Sequence, residues 1–162
     1  MTLNDELTED AIAVRAEASD WRDAVRQAGA LLTAVGVTTD EYTDEMVQTV
    51  EKLGPYIVLA PGIALAHSRP SPAVNRAGIA WLQLAEPVEF GHQTNDPVWL
   101  VVALAALDHD GHLGLMSALA AVLGDTDLLA RLREADSPAR VLEVLPPPPP
   151  RAEGQSGEDK GR

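Results

Sequence analysis

The sequence predicts an α/β fold, a three-layer sandwich in which a mixed β-sheet is flanked by helices. Three observations lead there. Apolar residues alternate with strand period near the N-terminus, recur with helical period between residues 21 and 53, and form continuous runs between 56 and 107. Helical spacing returns from residue 111 onward. One strand, two helices, a run of strands and then more helices is an order that packs as helices against a sheet. No internal repeat is present.

Taken in order, Ile12, Val14 and Ala16 alternate with Ala13, Arg15 and Glu17, which predicts a short strand. Ser19-Asp20 is a helix N-cap signal, and Trp21, Ala24, Val25, Ala28, Leu31, Leu32 and Val35 follow on one helical face. Gly36 is placed to stop that helix. A second helix is expected from Thr43, with Asp44 and Glu45 in its first turn and Gly54 at its end. Tyr56 to Ala60 reads as a buried strand, Pro61-Gly62 as a turn, and Ile63 to Ala66 leads into His67. Arg69-Pro70-Ser71-Pro72 is a loop. Strands are expected at Ala77–Leu84 and Val98–Leu107, separated by the polar segment Gly91–Pro97. Helices are expected at Gly111–Leu123, Asp127–Ala135 and Pro138–Leu145, the last two begun by Asp125-Thr126-Asp127 and Ser137-Pro138.

The domain is expected to span 1–145, with a Pro-rich disordered tail at 146–162 that opens on Pro146 to Pro150. The 162 residues suit one domain, and 46% apolar with 4% aromatic content predicts an aliphatic core. The acidic N-terminus lacks a signal-peptide pattern. No apolar run is long enough to span a membrane; the longest, Val98 to Leu107, suits a buried strand. A soluble, cytoplasmic chain is expected. It contains no cysteine, which excludes disulfides, thiolate metal sites and cysteine catalysis. Its net charge of −13 argues against nucleic acid and anionic membrane surfaces, and favours a basic protein partner.

The four histidines, His67, His92, His109 and His112, are nearly all the supply of neutral-pH nucleophiles and proton carriers. His67 ends an apolar strand, opens into a loop and has small neighbours, Ala66 and Ser68. His112 falls at a predicted helix start, where backbone N–H groups and the dipole suit an anion and disfavour imidazolium. His109 and His112, with Asp108, Asp110 or Asp96, offer a sparse metal-ligand pattern that leaves a metal-dependent hydrolase or binding module open. There is no G-x-S-x-G elbow, P-loop or G-x-G-x-x-G.

The segment from Gly54 to Pro70, GPYIVLAPGIALAHSRP, resembles the phosphorylation-site region of mannitol/fructose-type enzyme IIA domains of the sugar phosphotransferase system, and is most similar to the ascorbate branch. Ser19-Asp20-Trp21-Arg22, Phe90-Gly91-His92, Asn95-Asp96-Pro97-Val98 and Ala105-Ala106-Leu107-Asp108 before His112-Leu113 resemble further segments of that branch, in order, over residues 3–145. The resemblance implies a stand-alone phosphocarrier without a cofactor or metal. It implies that His67 accepts phosphate from the phosphorylated carrier HPr and passes it to a cysteine of enzyme IIB, which phosphorylates the sugar carried by membrane enzyme IIC. It assigns His112 to phosphoryl stabilisation. Ser68, Arg69 and His92 are candidates for phosphate binding or for the rim of the site. The family pattern places Pro before the active histidine and Gly or Ala after it, where this chain has Ala66 and Ser68. A regulatory relative, signalling through phosphorylated His67 without transport, is the alternative that the resemblance leaves open.

Overall fold

Strand β1 (Ile12–Ala16) is the first strand of the described part of the chain, residues 6–146 of a computed structural model. Helix α1 (Trp21–Ala34) follows, and the Asp20 carboxylate caps it by accepting from the Asp23 N–H at 2.8 Å. Its face of Ala24, Val25, Ala28 and Leu32 is completely buried. Helix α2 spans Asp40–Leu53 and so begins about one turn before the expected Thr43. Thr39-Asp40-Glu41 carries the same start signal as Thr43-Asp44-Glu45, and the earlier copy is used. Thr43 lies inside the helix, buried in the notch left by the missing side chain of Gly29.

The expected strand at 56–60 is divided. Pro55–Ile57 forms a 3-10 turn, and only Val58–Ala60 is extended, as β2. Strands β3 (Ile63–Ala66), β4 (Gly78–Val88) and β5 (Val98–Ala105) complete the sheet. The sequence ended β4 at Leu84, but it continues through an exposed stretch containing Pro87. A proline ordinarily demotes a strand to its edge or end. Helices α3 (His109–Leu123), α4 (Thr126–Arg133) and α5 (Pro138–Val144) finish the described chain. Asp125 and Ser137 cap α4 and α5 by accepting from the Leu128 and Arg140 N–H groups. The expected tail, beyond Pro146, lies outside the described residues.

The five strands form one mixed sheet in the order β1-β4-β5-β3-β2. β1 runs parallel to β4, β4 antiparallel to β5, β5 parallel to β3, and β3 antiparallel to β2. Every residue of β5 is buried, as is β4 from Gly78 through Leu84, so helices cover both faces of the sheet centre. The core is mainly aliphatic, but two of the few aromatics, Trp81 and Tyr42, are its largest fully buried side chains. The Trp81 indole donates to Gln83 Oε1 at 2.8 Å, and Gln83 Nε2 donates to the Leu132 carbonyl at 2.9 Å, which ties β4 to α4.

Parallel pairing of β3 with β5, from Ile63↔Leu100 to Ala66↔Ala103, fixes what meets at the sheet's end. His67 leaves β3 beside the exit of β5, where Asp108 begins α3. Open α/β sheets bind ligands at such carboxyl ends. The β2–β3 turn that sets this register depends on Gly62, at φ +79, where a Cβ would sit 2.6 Å from Trp99 Cδ1. Gly62 O accepts from the N–H groups of Trp99 and Leu100 at 2.8 and 3.1 Å. Gly62→Ala is expected to lower unfolding free energy by about 1–3 kcal/mol, read as an earlier midpoint in urea denaturation.

Candidate phosphoryl-transfer site

A groove of about 810 Å³ opens at that end of the sheet. His67, Ser68, Arg69 and Ser71 line one side, α2 contributes Glu45, Thr49 and Lys52, and α3 with its cap contributes Asp108, His109 and His112. His67 is half-buried because Ala66 before it is the last buried residue of β3. Its Nδ1 lies 3.0 Å from the Leu65 carbonyl. A carbonyl only accepts, so Nδ1 carries the proton, and in the neutral ring Nε2 holds the free lone pair. The Tyr56 ring meets His67 edge-on, with centroids 6.1 Å apart, and the His112 ring lies 5.8 Å away.

His112 does not stand at the free end of its helix, as the sequence suggested. α3 starts two residues earlier, at His109, because Asp108 caps it by accepting from the Gly111 N–H at 2.7 Å. The His112 N–H already donates to the Asp108 carbonyl at 3.1 Å. His112 therefore offers its side chain from the first turn, not a free backbone donor. Burial depresses its pKa, and His67 and His109 push it further in the same direction.

The other candidates separate. Ser68 and Arg69 line the groove with His67. The Ser68 hydroxyl lies 3.5 Å from Thr49 Oγ1, while Arg69 is exposed. His92 does not reach the rim. It lies in the β4–β5 loop, and β4 and β5 are antiparallel with Val88 opposite Val98, which puts that loop at the far end of the sheet. There His92 Nδ1 accepts from the N–H groups of Thr94 and Asn95 at 3.2 and 3.0 Å. Asp96 accepts from the N–H groups of Phe90, Gly91 and His92, so this segment holds its own loop together. Among the described residues, no group of three His, Asp or Glu side chains is placed to hold a metal ion, and the pairing of His109 and His112 lacks a third ligand.

Several lining residues were not singled out from the sequence. Glu45, Gln48, Thr49 and Lys52 share one face of α2 at spacings of three and four residues. That polar stripe, opposite buried Met46, Val47 and Val50, was the available signal. Lys52 and Arg69 form no ion pair among the described residues, so two cations border the groove uncommitted.

Comparison with known proteins decides the family. The sequence model of the family "Phosphoenolpyruvate-dependent sugar phosphotransferase system, EIIA 2" matches residues 6–146. The chain belongs to this family. It is 38% identical over 148 residues to the ascorbate-specific EIIA component of Shigella flexneri, covering 90% of this chain and 96% of the relative. The corresponding protein of Escherichia coli K12 is 36% identical over the same shares. Among solved structures, the mannitol-specific cryptic enzyme IIA of Escherichia coli superposes with a TM-score of 0.78 at 27% identity, over 89% of this chain and 97% of that one. The Escherichia coli mannitol enzyme IIA, solved in complex with phosphorylated enzyme IIB, gives 0.76 at 29% identity, over 86% and 96%. EIIA proteins are phosphotransferase components, so the α/β sandwich expected from the sequence and the class of activity both hold for this chain.

The depressed His112 has a consequence for this EIIA chain. A histidine whose folded pKa lies below its unfolded value contributes fully above the unfolded pKa, and the fold loses stability as pH falls from there toward the folded pKa. In an NMR titration, His112 is expected to have a midpoint below 6.5. His67→Ala or His109→Gln is expected to move that midpoint upward but still short of 6.5, because burial remains the largest cause. An unshifted wild-type midpoint contradicts the geometry.

Proposed function

We propose that this EIIA chain is a cytoplasmic phosphocarrier: His67 takes a phosphoryl group from phosphorylated HPr and gives it to a cysteine of enzyme IIB serving an ascorbate-type membrane enzyme IIC. The observation that carries the reading is the His67 ring, with Nδ1 held at 3.0 Å by the Leu65 carbonyl in a groove bordered by His112, Lys52 and Arg69. The Nε2 lone pair forms a bond to phosphorus as the N–P bond of the donor histidine breaks, and the donor ring keeps that electron pair. No proton leaves His67, because Nδ1 retains its own. The second transfer reverses the roles, with the enzyme IIB thiolate forming an S–P bond as the bond to Nε2 breaks.

Phosphoryl transfer is mostly positioning and neutralisation of the peripheral oxygens. His112, Lys52 and Arg69 supply donors and charge for that work. Phosphoryl arrival raises the proton affinity of His112, opposing the depression it has in the free protein. Two exposed apolar side chains line the groove, Leu53 at 67% and Tyr56 at 47%, and Leu107 and Leu113, also exposed, are the chain neighbours of its lining residues Asp108 and His112. An apolar rim around a charged centre suits partners that dock briefly and in turn. The ascorbate branch rests on the relatives at 36 and 38% identity. The fold of a nitrogen regulatory protein IIA from Neisseria meningitidis is also similar, with a TM-score of 0.74, but at 25% identity. Delivery of the group to enzyme IIB separates transport from regulation.

With phosphoenolpyruvate, enzyme I and HPr, wild type is expected to gain the mass of one phosphoryl group, lost in acid and lost on mixing with enzyme IIB. His67→Ala is expected to gain none. His112→Ala is expected to label roughly 10²-fold more slowly, and His92→Ala at the wild-type rate. Undiminished labelling of His67→Ala overturns the assignment.

A further inference from the structure

Tyr42 lies on α2 and is completely buried, beneath the point where the chain leaves β3. Its hydroxyl accepts from the Ser68 N–H at 2.9 Å and donates to the Leu104 carbonyl at 2.9 Å, with the Ser68 carbonyl at 3.2 Å as a second acceptor. The position of that hydroxyl in the β3–β5 ladder is informative. The Leu100 N–H donates to the Gly62 carbonyl, in the parallel register Ile63↔Leu100. In a parallel ladder the bonds then alternate along the two strands at intervals of two residues. The rung after Ala66 would run directly from the Ser68 N–H to the Leu104 carbonyl. Those are the two groups that the Tyr42 hydroxyl separates.

We propose that Tyr42 is a positioning residue whose hydroxyl, inserted into the β3–β5 ladder, splays the strands at Ser68 and holds His67 out of the sheet. The proposal rests on the reading of His67 as the phosphoryl carrier. One interposed oxygen replaces a single hydrogen bond by two in series, which keeps both backbone groups satisfied while moving the strands apart. The pairing stops at Ala66↔Ala103, and one residue later the imidazole folds back to the Leu65 carbonyl. Only a group that both donates and accepts fills this place. Burial, the largest cause, and Glu45 raise the phenol pKa to about 12 against the lowering effect of the Ser68 backbone bond, so the proton stays on the hydroxyl at neutral pH. Without the hydroxyl, Ser68 and Leu104 close to a direct rung, and His67 is drawn toward the sheet.

The test is Tyr42→Phe in the full chain, with two readouts. Long-range nitrogen-15 NMR of the unphosphorylated protein reports the His67 tautomer. Transfer from phosphorylated HPr gives the maximal rate and the half-saturating donor concentration. Loss of the single Nδ1–H tautomer is expected, with a maximal rate about 10- to 100-fold lower and half-saturation within about twofold of wild type. A folded Tyr42→Phe protein with an unchanged His67 tautomer, or with the wild-type maximal rate, overturns the proposal, whatever its melting temperature. In the wild-type chain, a slowly exchanging Tyr42 hydroxyl proton with an NOE to the Ser68 amide is expected. Free solvent exchange of that amide overturns the proposal even if Tyr42→Phe fails to fold. If wild type takes no phosphoryl group from HPr, the carrier reading fails, while the tautomer readout still decides the role of Tyr42.

Discussion

The hydrogen bond from Nδ1 of His67 to the carbonyl of Leu65 settles which ring nitrogen is free, and most of the surrounding structure acts to preserve it. The bond spans two residues, so it requires β3 to stop at Ala66 and the chain to bend at once. A strand stops cleanly only if its remaining backbone groups find partners elsewhere. Tyr42 supplies them at Ser68 and Leu104. The same strand must also be held firmly from behind, and the Gly62 turn does that by accepting two N–H groups from the start of β5. A nucleophile that retains one proton and presents one lone pair suits a group that is received and surrendered without proton transfer.

Parallel pairing explains why two distant parts of the sequence share a site. Because β3 and β5 run in the same direction, their exits lie side by side, and helix α3 starts there with Asp108 as its cap. His112 is thereby brought within 5.8 Å of His67, ring to ring, across a sequence gap that no local pattern spans. Around the groove the charges balance, Lys52 and Arg69 against Glu45 and Asp108, where the whole is acidic. The protein carries a charge of −13, yet Lys52 and Arg69 border the groove without ion-pair partners among the described residues. Uncommitted cations beside the paired His67 and His112 rings favour an incoming phosphoryl group locally, while the acidic body favours a basic donor at longer range.

Much of this was legible in the residues themselves. The caps at Asp20, Asp125 and Ser137 work as their positions suggest, because an N-cap is a local device and needs no tertiary knowledge. Boundaries failed where one signal occurred twice, as with Thr39 and Thr43, or where a breaker was tolerated, as with Pro87 in β4. His67, singled out by its match to a family pattern, lines the groove. His92 was misplaced because sequence order does not reveal which end of a sheet a loop occupies; the antiparallel β4–β5 pair sends it to the far end. Lys52 and Thr49 lay in a polar helical stripe, which looks the same whether it faces solvent or a site. Tyr42 was invisible for a different reason: its role depends on a missing rung, and only the strand register shows that a rung is missing.

The central claim is that the Leu65 carbonyl fixes the His67 tautomer and thereby leaves Nε2 as the reacting atom. Long-range proton–nitrogen-15 correlation on the phosphorylated protein, labelled at histidine, reads the site of the N–P bond directly. The account predicts a phosphoryl group on Nε2 of His67 with a proton still on Nδ1. A phosphoryl group on Nδ1 would contradict it, because that nitrogen would first have to surrender its bond to Leu65.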